Sequence, residues 1–244
     1  MHAHRLNRAV AAVFASLIAL SALGSLLSAP ATASPLDLEG PGRTRQDKDR
    51  DTYNHPARLF EFWGIREGMQ VMDLYPGDGY TTLLLSQIVG PKGKVLAWAS
   101  YDHENFEKRM KPLALANVEE TAMAEPECFK TLPKDLAKIP SGSLDAVITI
   151  RNYHDIESPA DALAEIKRVL KPGGVLGIAD SRTATGRDQK THRIADDVII
   201  REVTGAGFTL SAISQMLANP KDDPAKGYWE ERWIVDQSCL RFTK

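Results

Sequence analysis

Residues 70–82 read Gln70-Val71-Met72-Asp73-Leu74-Tyr75-Pro76-Gly77-Asp78-Gly79-Tyr80-Thr81-Thr82. The apolar residues around Asp73 predict a buried strand. Pro76, Gly77 and Gly79 predict a tight turn, and Leu83, Leu84, Leu85, Ile88 and Val89 predict a helix after it. A strand that runs through a glycine turn into a helix aims backbone N–H groups at one point in space. This stretch limits the chain to an α/β layer structure with a ligand site at a strand's carboxyl end.

The rest of the chain keeps that alternation. Asn54 and Pro56 predict the start of a helix whose apolar side is Leu59, Phe60, Phe62 and Trp63. A strand is expected over 94–99, a polar helix over 103–112 and a short strand over 117–121. A loop containing Pro126, Cys128 and Pro133 is expected next, and then a strand over 144–150. Ser158-Pro159-Ala160-Asp161 is a helix start, with Pro at the first position and an acid in the first turn. Leu163, Ile166, Val169 and Leu170 follow at helical spacing. Lys171-Pro172-Gly173-Gly174 fits a type II turn into a strand over 175–180. A polar loop over 181–190, a helix over 191–204 and a helical piece over 212–217 are expected, with closing strands near 208–210 and 233–242. Alternating strands and helices predict a doubly wound parallel sheet.

With 244 residues, 43% of them hydrophobic, the chain can bury one sizeable core. A formal net charge of −2 leaves no nucleic-acid footprint. Residues 1–8 carry Arg5 and Arg8 and no acid, residues 9–27 are almost wholly apolar, and Ala31-Thr32-Ala33 is a small-x-small site. This pattern predicts a signal peptide cleaved after Ala33, export to the periplasm or beyond, and no stable membrane anchor afterwards. Residues 34–50 are expected to be a flexible lead-in, and 51–244 a single domain. The two cysteines, Cys128 and Cys239, fit either one disulfide or two buried thiols.

The order of these pieces resembles the class I S-adenosylmethionine-dependent methyltransferases. Residues 71–82, 90–99, 144–156 and 166–180 carry the resemblance, with Arg168-Val169-Leu170-Lys171-Pro172-Gly173-Gly174-Val175-Leu176 very close to the family pattern. A closer resemblance, to exported methyltransferase-like bacterial proteins, rests on the Tyr75–Thr81 stretch, Asn152-Tyr153-His154-Asp155 and Thr191-His192-Arg193-Ile194. The resemblance implies a Rossmann-like, mostly parallel seven-stranded sheet with the last strand antiparallel.

It also implies a cofactor, S-adenosylmethionine, and where it sits. Asp73 would help hold the amino group of the methionine half, with Tyr75, Gly77, Asp78, Gly79 and Tyr80 around it. Two positions depart from the family. Tyr75 replaces a glycine, and Tyr does not readily take a positive φ. Ala99 stands where a ribose-binding acid is usual, leaving Asp102 just beyond it as the candidate. Asn152, Tyr153 and His154 fall where the family contacts cofactor and substrate, so His154 is a candidate general base. Asp180 is expected to face the same crevice.

Three functions follow as expectations. The first is a methyltransferase acting on a small molecule. The second is an exported binding or accessory protein on the same fold, without transfer chemistry. The third is a metal-dependent small-molecule enzyme using His154, Asp180 and His192, although no tight ligand spacing supports a metal and none is assigned.

Overall fold

The computed structural model describes residues 36–122, 127–231 and 234–244. The leader expected over 1–33 lies outside them, as do the side chains of Ala99 and Cys128. Among the described residues, no helix is long and apolar enough to cross a membrane.

Strands β1 (Gln70–Leu74), β2 (Lys94–Ser100), β3 (Val118–Ala122), β4 (Leu144–Ile150) and β5 (Leu170–Ser181) pair in parallel. Strands β6 (Arg187–Asp188) and β7 (Arg193–Ile194) form a small separate ribbon. Strands β8 (Thr209–Ile213) and β9 (Gln237–Thr243) complete a seven-stranded sheet of order β3-β2-β1-β4-β5-β9-β8. Because β9 is antiparallel to both neighbours, it alone runs against the rest. This is the expected sheet, with the last strand reversed.

Successive strand residues point to opposite faces, so each strand feeds two cores. Met72, Leu74, Val147, Leu176 and Ile178 face one side. Helices α5 (Glu127–Leu136), α6 (Pro159–Val169) and α7 (Asp196–Gly205) cover them with Leu132, Leu163, Ile166 and Ile199. Val71, Val95, Ala146 and Ile148 face the other side. There α2 (Pro56–Trp63) and α3 (Tyr80–Val89) supply Leu59, Phe60, Trp63, Leu84 and Ile88. Burial on both faces explains why β1 and β4 read as apolar runs rather than alternating ones.

Five expectations need correction. The lead-in is helical from Arg45: α1 (Arg45–Asn54) opens on a capping box between Thr44 and Asp47. Asn54 ends this helix instead of starting the next. His55, at φ 43°, breaks the chain before Pro56 begins α2. Residues 127–136 are helical despite Pro133, where a loop was expected. The helix expected from residue 191 starts at Asp196, because β7 takes the residues before it. Residues 212–213 extend β8 instead of starting a helix, since they pair with β9. Cys239 on β9 is a free, buried thiol.

Trp63 holds α2 to the sheet. Its indole Nε1–H donates to Leu240 O at 3.0 Å, and its ring packs against β5 at Gly177. A Cβ there would meet Trp63 Cδ2 at 2.6 Å and Cε2 at 2.8 Å. Trp63 is fully buried and has no room to swing away. Gly177→Ala should therefore lower stability by about 1–3 kcal/mol, the usual range for overpacking. A urea-denaturation midpoint unchanged from the parent would contradict this contact.

Candidate functional site

The sheet order reverses between β1 and β4, whose connections leave toward opposite faces. A crevice opens there at the carboxyl ends of the strands. It is a cavity of about 1020 Å³, walled by the turn after β1, the loops after β2 and β4, α1, and the segment around Tyr228 and Trp229.

The turn after β1 supplies its floor. Tyr75 adopts φ 62°, so it takes the backbone conformation that glycine would occupy. A non-glycine residue there costs roughly 1–2 kcal/mol. The surroundings hold it: Tyr75 N–H donates to Trp98 O at 2.9 Å, and Asn152 Nδ2 donates to Tyr75 O at 3.3 Å. The Tyr75 ring turns away to pack on Phe129, with centroids 4.6 Å apart. Gly79, at φ 82°, begins α3 pressed against Phe106, where an added Cβ would lie 3.0 Å from the ring. Arg151, at the end of β4, is also left-handed, at φ 57°. Burial, then the nearby Arg50, brings its guanidinium down to about 10, so it stays charged at neutral pH.

Asp73 is buried on β1 and lines the cavity. Its carboxylate accepts a side-chain hydrogen bond from the Thr82 hydroxyl at 2.6 Å. Burial pushes its carboxyl up to about 7, against the opposing effect of Thr82 and with a further push from Asp78. Among the described residues no cation compensates it.

The opposite wall is ionic. Arg109 donates from Nη2 to Asp78 Oδ2 at 2.7 Å and from Nε to Asp78 O at 2.8 Å. Its Nη1 donates to Asp47 Oδ2 at 2.5 Å. Burial disfavours the Asp47 carboxylate, but Arg109 and the Thr44 N–H hold it below the ordinary range. Arg43 pairs with Asp51, and the Tyr80 hydroxyl donates to Asp51 at 2.6 Å. The Arg50 guanidinium stacks 4.4 Å above the Tyr80 ring. Burial, with Asp51 beside it, raises the Tyr80 phenol far above its ordinary range, so it acts only as a donor.

Thus the cavity gathers Asp73, Tyr75, Gly77, Asp78, Tyr80, Asp102 and Asn152, all expected at a cofactor site. Gly79 lies one step back, in the turn. Asp102 reaches the wall from the loop after β2, oriented by Asn105 Nδ2 at 3.0 Å. Sequence reasoning passes over Asp47, Arg109, Arg50 and Arg151. The Thr44–Asp47 cap signals α1; nothing local signals Arg109.

The expected catalytic trio does not line the cavity. Tyr153 is buried, and its hydroxyl donates to Glu202 Oε2 at 2.8 Å. Asp180 accepts from His154 N at 2.9 Å, His154 Nδ1 at 2.7 Å and Ser181 N at 2.7 Å, and it is fully buried. His154 is wholly enclosed. Burial disfavours its charge, yet Asp180 and Asp155 together raise its imidazole to about 9. An imidazolium at neutral pH does not serve as the expected base. The short 3-10 turn over Tyr153–Asp155 rotates these side chains inward, behind Asn152.

Fold and site together define a crevice at the carboxyl ends of the strands of a Rossmann-like sheet. Residues 77–178 match the family described as "Methyltransferase domain". An uncharacterized 37.1 kDa transposon protein of Streptomyces fradiae is 29% identical, over 75% of this chain and 53% of its own length. Demethylmenaquinone methyltransferase of Lactococcus lactis is 32% identical over 48% of this chain and 44% of its own. The chain thus spans about half the length of these curated relatives. A SAM dependent methyltransferase from Aquifex aeolicus has the same fold. Its TM-score is 0.59 at 22% identity, covering 81% of this chain and 96% of that one. Residues 77–178 thus match a methyltransferase-domain family, and the chain shares the fold of a solved S-adenosylmethionine-dependent methyltransferase.

Because Asp73 titrates near 7 when folded and near 3.8 when unfolded, the folded chain binds more protons between those values. Stability is therefore fullest below about pH 4 on this account and falls as pH rises through 7. Asp73→Asn should remove a loss on the order of 3 kcal/mol across that window. Urea titrations of parent and variant at pH 4.5 and 7.5 measure it. Parallel pH profiles would show that Asp73 ionises normally.

Proposed function

We propose that this chain transfers a methyl group from S-adenosylmethionine to a small-molecule acceptor. The observation that carries this reading is the Asp73 carboxylate, buried at the cavity floor with, among the described residues, only the Thr82 hydroxyl for a side-chain partner. A buried acid without a cation suits a ligand that brings one, here the cofactor's ammonium. When bound, S-adenosylmethionine supplies an electrophilic methyl group on a sulfonium centre. The chain's own task is to bind and orient. Asp73 would take the ammonium and Asp102 the ribose hydroxyls. Tyr75, fixed by Trp98 and Asn152, would keep the turn's backbone open. The demethylmenaquinone methyltransferase likeness supports a small-molecule acceptor.

Calorimetric titration with S-adenosylmethionine tests the reading. Binding should draw Asp73 fully into its charged form, releasing up to about half a proton at pH 7. The measured heat should therefore differ between phosphate and Tris buffers. Asp73→Asn should weaken binding at least tenfold, since a charge-assisted contact is lost. No heat at millimolar cofactor would remove the proposal.

One observation favours the second reading, a ligand-binding protein without transfer. With His154 enclosed, no histidine lines the cavity among the described residues. An acceptor that is already nucleophilic needs no base. Binding without turnover of any acceptor would favour the accessory role.

We also propose export, supported by the basic start, apolar run and Ala31-Thr32-Ala33 of the sequence. Mass spectrometry of protein recovered from the periplasm or medium should find an N-terminus at Ser34. Intact Met1 on cytoplasmic protein would contradict it.

A further inference from the structure

Behind the Tyr228 side of the cavity lies a second group of chemically active side chains. His154 Nε2 is 3.2 Å from His192 Nδ1 and 3.2 Å from Asp155 Oδ2. His192 Nδ1 is 3.1 Å from the same oxygen. Three donor atoms thus form a nearly equilateral triangle. We infer that they bind one divalent first-row transition-metal ion, with zinc the best match.

The geometry is the main reason. Tetrahedral zinc with bonds of about 2.0–2.1 Å places its ligand atoms about 3.3 Å apart. A point about 2.05 Å from all three corners lies roughly 1 Å above the triangle's plane, so the side chains need only small adjustments. Two imidazole nitrogens and a carboxylate oxygen suit zinc and its neighbours better than magnesium or calcium, which prefer oxygen. Three protein ligands leave a fourth position for water or a small anion.

The surroundings are built as metal sites are built. Asp180 Oδ1 lies 2.7 Å from His154 Nδ1, so that nitrogen keeps its proton while Nε2, releasing its own to solvent as the ion enters, is the one left to bind. Asp180 is itself held by two backbone N–H groups. This carboxylate–histidine relay orients ligands and raises their basicity in metal centres. His192 reaches the triangle from a backbone at φ 53°, a conformation that imidazole residues adopt at a cost. Tyr228 and Trp229 edge the His192 ring, with centroids 6.1 and 5.3 Å away. The ion would tie the turn after β4 to the segment before α7.

This corrects the ligand set suggested by the sequence. Asp180 stands behind His154, and Asp155 takes its place as ligand. The surface group His103, Glu107 and Glu120 has similar spacing, but its histidine is exposed and has no such support.

The test uses tag-free full-length protein, stripped with chelator and titrated with zinc against a chromophoric competitor. The parent should take up one equivalent, and its melting temperature should rise with zinc. His192→Ala, at a partly exposed position, and Asp155→Asn should each lose at least tenfold in affinity and lose the zinc-dependent melting shift. Asp180→Asn should weaken binding 10–100-fold while leaving the ligands in place. Circular dichroism identifies any variant that fails to fold, and the Asp155→Asn and His192→Ala pair then stands on the one that does. No uptake by the parent, or uptake unchanged in both ligand variants, overturns the proposal. A purely structural hydrogen-bond network gives the first result, and zinc held elsewhere on the chain gives the second.

Discussion

The site exists because two neighbouring strands end in left-handed turns. Tyr75 closes β1 and Arg151 closes β4, and both carry side chains where glycine is easier. Each is pinned by the next strand along: Tyr75 N–H to Trp98 O, Arg151 N–H to Ala179 O. Asn152 then joins the two turns through Tyr75 O. The sheet's hydrogen bonds thus hold a backbone shape that neither turn would favour alone. Strain of this kind collects at ligand sites because only a rigid surround sustains it.

Across the cavity the constraint is ionic. Asp47, Asp51 and Asp78 are matched by Arg43, Arg50 and Arg109 in a linked set. Such pairs add little net stability once desolvation is counted. Their consequence is positional: α1 is fixed over the first-motif turn, and Asp78 is already satisfied. Asp73, buried on the floor, has no such partner among the described residues. The two carboxylates, five residues apart in sequence, therefore do different work.

Much of this was legible beforehand. Val71 to Gly79, the strand at 144–150, Ser158-Pro159 and Lys171-Pro172-Gly173-Gly174 announce their structures through apolar periodicity and turn chemistry. Gly173 indeed takes φ 75°. The sheet order follows from them. Helix α1 was not legible because it has almost no apolar face; it is held by charges whose partners lie far along the chain. Helix α5 was hidden by Pro133. The side-chain directions of residues 153–155 were not legible either, since a three-residue turn changes each by about a third of a revolution. Proximity in sequence to Asn152 suggested a cavity role for His154 that the turn denies.

Cys239 carries a consequence of a different kind. Its thiol sits inside the sheet on β9, and burial pushes it up to about 12 despite Arg182 nearby. Thiolate is the species that attacks disulfides and reacts with oxidants. At neutral pH burial keeps this sulfur as the thiol and covers it from solvent. The strand that reverses the sheet is therefore indifferent to the redox poise around it. The chain can pass from a reducing to an oxidising compartment without a covalent change at this position.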